Sequence, residues 1–132
     1  MINILVGAAA LFVFGAIWFT FLFGKTWEKL SQFSPEVKEK MKERGMAMGL
    51  VGNFILNAIT VCVVYTIFSE VLALSFSDFF KFLLTIWAGF SLPLYANEYF
   101  WGGKSWKLVL LNSAQGLGAL LIVSLIVYYW PR

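Results

Sequence analysis

The sequence predicts an all-α integral membrane protein: a four-helix antiparallel bundle with a short cytoplasmic interfacial helix between helices 1 and 2. The chain of 132 residues is 61% hydrophobic and only 13% charged, whereas soluble domains keep about a quarter of their residues charged. Four apolar runs are long enough to cross a bilayer. Most of the charge lies between these runs, in one connector. Residues 1–132 are therefore expected to form a single transmembrane domain.

The four spans are expected at residues 2–23, 46–68, 79–99 and 105–129. The first run carries no charge and contains small residues, where another helix can approach closely. It is expected to be a retained membrane helix, because no basic segment precedes it and no small-residue cleavage site with polar sequence follows it.

Residues 24–45 form the polar connector between the first two spans. Within it, Ser34, Pro35 and Glu36 predict the start of a helix: a hydroxyl cap, a proline at the first position and an acid in the first turn. Apolar residues such as Trp27 lie upstream, and this favours a helix on the membrane surface. A solvated connector is favoured here over a docking site for a partner.

The third span is preceded by a short predicted turn at residues 69–77, with Ser77 or Asp78 expected to cap the helix. Pro93 lies inside this span and has no amide hydrogen. The Gly89 carbonyl therefore loses its usual partner, and a kink is expected.

Small and polar residues recur inside the second and fourth spans. They are Gly45, Gly49, Asn53 and Asn57 at four-residue spacing, and Asn112, Gln115, Gly116 and Ala119 at i, i+3, i+4 and i+7. Each set occupies one face of its helix. Because polar groups in hydrocarbon need partners, the two faces are expected to meet.

The candidate site follows from these faces. Gly49, Asn53, Asn57, Asn112, Gln115 and Gly116 are expected to serve helix packing, with ligand binding as the alternative. Asn97 and Glu98, at the exit of the third span, are expected to be interfacial polar residues.

Several kinds of chemistry lack the residues they need. The chain contains no histidine, which removes the commonest metal ligand and general base. Cys62 is the only cysteine, so an intrachain disulfide is excluded, and we expect a buried thiol. We therefore predict no catalytic residue, no cofactor and no metal site, and a protein that is not an enzyme.

The basic residues are distributed unevenly between the two sides predicted for the membrane. Eight lie in or beside the first and third loops, and two lie opposite; the eight are Lys25, Lys29, Lys38, Lys40, Lys42, Arg44, Lys104 and Lys107, and the two are Lys81 and Arg132. The positive-inside rule then predicts cytoplasmic loops at 24–45 and 100–106, with both termini outside.

Two junctions resemble those of a bacterial membrane-protein family, the one catalogued as domain of unknown function 1761. The first is residues 18–30, WFTFLFGKTWEKL; the second is residues 97–101, NEYFW, followed by residues 104–107, KSWK, and by Leu111 and Asn112. The resemblance spans essentially the whole chain and implies four transmembrane helices, with no activity or catalytic residue to carry over. Members often have a Tyr-Ser-Pro-like stretch where this chain has Phe19 to Phe21, so the local kink of that stretch is not carried over.

These observations favour a non-enzymatic multipass protein of the bacterial inner membrane, acting as a helix-packing interaction or accessory protein. The alternative is a homo-oligomeric pore or transporter for a small ion or neutral polar solute, lined by the amides of the two faces. The expected partners are the lipid bilayer and either further copies of the chain or a larger membrane complex. The formal charge of +3 is too small for a nucleic-acid partner.

Overall fold

A computed structural model describes residues 1–71 and 75–130, and over these residues the chain is all-α, with no β-strand. The elements are α1 (Ile2–Ala16), continued by a π-helical segment (Ile17–Leu22), α2 (Gly24–Ser31), α3 (Pro35–Arg44), α4 (Met46–Glu70), α5 (Phe76–Phe100) and α6 (Trp106–Tyr129). The middle of the turn predicted at 69–77, and Arg132, lie outside the described residues.

Four of these helical stretches are long and apolar enough to cross a membrane: Ile2–Leu22, Met46–Glu70, Phe76–Phe100 and Trp106–Tyr129. They agree with the four predicted spans and suggest a multipass membrane protein. The third spanning helix, α5, begins earlier than predicted because its N-cap is Ser75, not Ser77 or Asp78. The Ser75 hydroxyl accepts a hydrogen bond from the Asp78 amide at 3.2 Å, which satisfies one of the free amides of the first turn.

The connector contains two short helices. The Ser34 hydroxyl accepts a hydrogen bond from the Val37 amide at 3.2 Å, as expected of the predicted helix start. Helix α2 packs against the π-helical segment and α6. The Lys104 ammonium donates to the Ser31 carbonyl at the last residue of α2, where a cation also complements the helix dipole. Helix α3 is exposed along its whole length.

Helix α1 contacts both α4 and α6 through small residues. A methyl group added at Gly7 would lie 3.0 and 3.1 Å from the two γ-carbons of Val61, which is fully buried. On the other side, Gly118 of α6 lies directly against the ring of Phe14. Helices that lack a hydrophobic driving force associate through such close contacts.

One end of the helix assembly is densely packed. Its core is formed by Ile4, Leu11, Val61, Val64, Tyr65, Phe79, Leu83, Val123 and Val127. Beside them, the ring of Phe68 meets the rings of Phe79 and Tyr128 edge-on, with centroids 5.2 and 5.9 Å apart. The Tyr65 hydroxyl donates to the Trp130 carbonyl at 2.6 Å. These contacts join the second half of α4, the start of α5 and the end of α6.

The expectation that Cys62 is buried was wrong. The residue is exposed on the outer face of α4, beside Ile59 and Val63, which are 54% and 49% exposed. The expectation rested on burial in water-soluble proteins. A helix surrounded by lipid has no such reason to turn its apolar side chains inward.

The contact between Gly7 and Val61 gives a test of this packing. We expect Gly7→Leu to lower the free energy of unfolding by about 1–3 kcal/mol, because a β-branched valine in a helix has one preferred rotamer and cannot turn aside. Gly89→Leu is the matched control, since a methyl group there meets no described atom within 4 Å. Unfolding in mixed micelles measures both variants. Equal stability of the two would refute the close α1–α4 contact.

Candidate functional site

A cleft of about 450 Å³ separates α4 from α5. The two helices meet at Phe68 and Phe79, where the ring centroids are 5.2 Å apart, and the cleft lies beyond this contact. Residues of α6 form its floor, and Leu11 of α1 contributes at its base. Its volume falls in the range of small-molecule sites, about 300–1,000 Å³.

The cleft brings together polar side chains from three helices. They are Asn57 and Thr60 of α4, Trp87, Ser91 and Tyr95 of α5, and Gln115 of α6. The Thr60 hydroxyl donates to the Leu56 carbonyl at 3.1 Å, within its own helix. No Lys, Arg, Asp or Glu is among the lining residues, so the polar character of the cleft comes from neutral groups.

Gly116 explains how α5 reaches this site. A methyl group at Gly116 would lie 3.0 Å from Nε1 of Trp87 and 3.3 Å from the Tyr95 hydroxyl. The absence of a side chain therefore lets both polar groups approach the backbone of α6. Nε1 of Trp87 is buried there without a hydrogen-bond partner among the described residues, and such an unpaired donor is destabilising.

Three of the predicted site residues, Asn57, Gln115 and Gly116, line this one cleft. The expectation that the whole ridge of α4 faces α6 was wrong, because Gly49 and Asn53 point outward. Asn53 is exposed, and a methyl group at Gly49 would meet no described atom within 4 Å. Residues spaced four apart shift progressively around the axis, because the helix has 3.6 residues per turn. A long ridge with this spacing therefore does not face the same neighbouring helix along its whole length.

The paired amides of α4 mark the point where the ridge turns outward. Nδ2 of Asn57 donates to Oδ1 of Asn53 at 3.0 Å. This bond uses one donor and one acceptor and leaves the Asn53 NH₂ group without a partner in the described part of the chain. The helix therefore presents an amide on its outer surface in the first half of α4.

The remaining predicted residues lie away from the cleft. Asn112 is half-buried and does not line the cleft, and its side chain makes no hydrogen bond to another described residue. The backbone carbonyls of Asn97 and Glu98 accept from the amides of Trp101 and Gly102 at 2.8 and 3.1 Å. These two backbone hydrogen bonds form the C-terminal end of α5. The side chains of Asn97 and Glu98 are both exposed.

The α5 wall was missed by the sequence analysis, although a signal for it exists. The three polar side chains of this wall recur every four residues and therefore share one face of α5; they are Trp87, Ser91 and Tyr95. Gly89, whose carbonyl Pro93 leaves without its usual amide partner, is exposed and does not line the cleft. Among residues 1–71 and 75–130, no group of three or more His, Cys, Asp or Glu could hold a metal ion.

Comparison with protein families gives a match to the model described as "Protein of unknown function (DUF1761)", over residues 2–128. The chain belongs to this family. The match covers nearly the whole chain and agrees with the resemblance of the two helix junctions. No curated protein and no solved structure matches the chain.

Proposed function

We propose that this DUF1761 chain is a non-enzymatic interaction protein of the bacterial inner membrane, which packs against other membrane helices and first against a second copy of itself. The observation that carries the proposal is the outward ridge of α4, defined by Gly49, Gly52 and Asn53 together with Gly45, which immediately precedes the helix. Methyl groups at all three glycines would meet no described atom within 4 Å. The ridge thus has the small surface that helix association in lipid requires, and no described residue packs closely against its three glycines.

Asn53 supports a second copy as the occupant. Its NH₂ group lacks a partner in the described residues, and an uncovered amide within a membrane span is unfavourable in hydrocarbon. A carboxamide is both donor and acceptor, so a two-fold axis beside Asn53 pairs it with the same residue of the other copy. The flanking glycines allow the close approach that this pairing needs.

Self-association in bilayers tests the proposal. Energy transfer between copies labelled at Lys38→Cys, in a Cys62→Ser background, is expected to fall as the chain is diluted in lipid. Gly49→Leu is expected to weaken association by at least about tenfold through lost close contact. Asn53→Leu is expected to weaken it about eightfold, because a pair across a two-fold axis has two equivalent hydrogen bonds and each intramembrane hydrogen bond contributes about 0.6 kcal/mol.

Gly89→Leu is the control for added bulk on an open helix face, and it is expected to leave association unchanged. A wild-type chain that stays monomeric at every dilution would contradict self-association. Stoichiometric capture of another membrane protein that depends on Gly49 would then identify a foreign helix as the occupant of the ridge.

A homo-oligomeric pore or transporter for a small ion or neutral polar solute is the second candidate. It is supported by Asn57 and Gln115, whose amides line the same cleft. The other lining residues are largely aliphatic, and this favours the interaction protein over a hydrated path. Ion or solute flux in proteoliposomes that is lost in Asn57→Leu would reverse that preference.

The arrangement that we propose in the membrane is an antiparallel bundle with a short interfacial helix in the connector at residues 24–45. The packed end supports it, because it joins the first half of α1 and the second half of α4 to the start of α5 and the end of α6. Eight basic residues in or beside loops 24–45 and 100–106, against Lys81 and Arg132 opposite, support cytoplasmic loops and external termini.

Membrane-impermeant maleimide distinguishes the two orientations in intact spheroplasts. In a Cys62→Ser background, Ser77→Cys is expected to react from outside, and Lys38→Cys is expected to react only after permeabilisation. Both parent residues are exposed, so access to reagent is limited by the membrane alone. The reverse pattern would contradict the proposed orientation.

A further inference from the structure

The cleft between α4 and α5 opens sideways. Ile59 and Val63 line it and are at the same time 54% and 49% exposed on the outer surface of α4. If α4 and α5 cross a membrane, a molecule dissolved in the lipid can therefore enter between them without passing through water. The entrance admits apolar molecules most readily, since both residues of this rim are aliphatic.

Polar and apolar groups are separated along the length of the cleft. Tyr95 and Gln115 lie toward the end of α5 and the start of α6, and Asn57 and Ser91 lie near the middle of α4 and α5. Ile67, Leu83 and Val123 lie toward the opposite ends of the same three helices, next to the aromatic cluster of Phe68 and Phe79. The cleft thus has one end that forms hydrogen bonds and one end that does not.

The polar end has unused hydrogen-bonding capacity. The side chains of Ser91, Tyr95 and Gln115 make no hydrogen bond within the described part of the chain, and Nε1 of Trp87 beside them is buried and unpaired. Unpaired polar groups at membrane depth cost free energy, which a ligand carbonyl or hydroxyl would offset. No charged side chain lines the cleft, so a charged ligand would lack a counter-charge.

From this geometry we propose that the cleft binds a neutral amphiphile, with its carbonyl- or hydroxyl-bearing head at Tyr95 and Gln115 and its hydrocarbon tail between Ile67, Leu83 and Val123. The volume of about 450 Å³ accommodates a lipid-sized single chain better than a bare polar solute. The proposal is independent of self-association, since none of the four residues that define the outward ridge lines the cleft.

A photoreactive monoacylglycerol with a diazirine in its acyl chain tests this in phospholipid nanodiscs containing the full chain. Labelling is expected on peptides carrying Ile67, Leu83 and Val123, and unlabelled monooleoylglycerol is expected to suppress it. Hexadecane lacks a head and oleate carries a charge, so both are expected to compete at least about tenfold less well. Equal competition by hexadecane would overturn recognition of a polar head, and equal competition by oleate would overturn the requirement for neutrality.

Substitutions in the cleft provide the second arm. Tyr95→Phe and Gln115→Leu are each expected to reduce labelling about two- to tenfold, the range for one lost hydrogen bond. Ala119→Phe is expected to abolish it by filling the cleft, whereas Ala88→Phe, on an exposed face of α5, is the matched control. Unchanged labelling in Tyr95→Phe, Gln115→Leu and Ala119→Phe alike would overturn the proposal. Gly49→Leu is expected to leave labelling intact, so failure of self-association and failure of this site are distinguishable.

Discussion

In hydrocarbon, two helices gain no hydrophobic free energy by burying apolar side chains against each other, because the lipid tails are equally apolar. Association then depends on how closely the backbones approach and on the few hydrogen bonds between them. In this chain glycine provides that approach at three places: Gly7 against Val61, Gly118 against Phe14, and Gly116 against Trp87 and Tyr95. The relative placement of α1, α4, α5 and α6 depends on these contacts.

The contacts are not spread evenly along the helices. Aromatic rings and the Tyr65–Trp130 hydrogen bond close one end, where Phe79 and Val127 are fully buried. Beyond Phe68 and Phe79, a cleft of about 450 Å³ takes the place of direct packing between α4 and α5. Helices α4 and α5 are thus in contact at the packed end and separated by the cleft beyond it.

Both proposed roles use surfaces where packing within the protomer is incomplete. The ridge of Gly45, Gly49, Gly52 and Asn53 is uncovered on the outside, and the cleft is uncovered between the helices. The hydrogen bond between Asn57 and Asn53 connects the two. One amide lines the cleft and the other lies on the ridge.

The sequence alone was sufficient for the four long apolar helices, the Ser34 cap and the family. Each of these depends on local composition or on neighbours within a few residues. It also supplied three of the cleft residues, Asn57, Gln115 and Gly116. It did not supply the outward direction of Gly49 and Asn53, nor the exposed Cys62, nor the wall formed by Trp87, Ser91 and Tyr95. Spacing within one helix determines which residues share a face, but a helix that is apolar all round does not show which face meets a neighbour and which meets lipid. Only the tertiary structure decided that, through the few positions where glycine lets another helix come close.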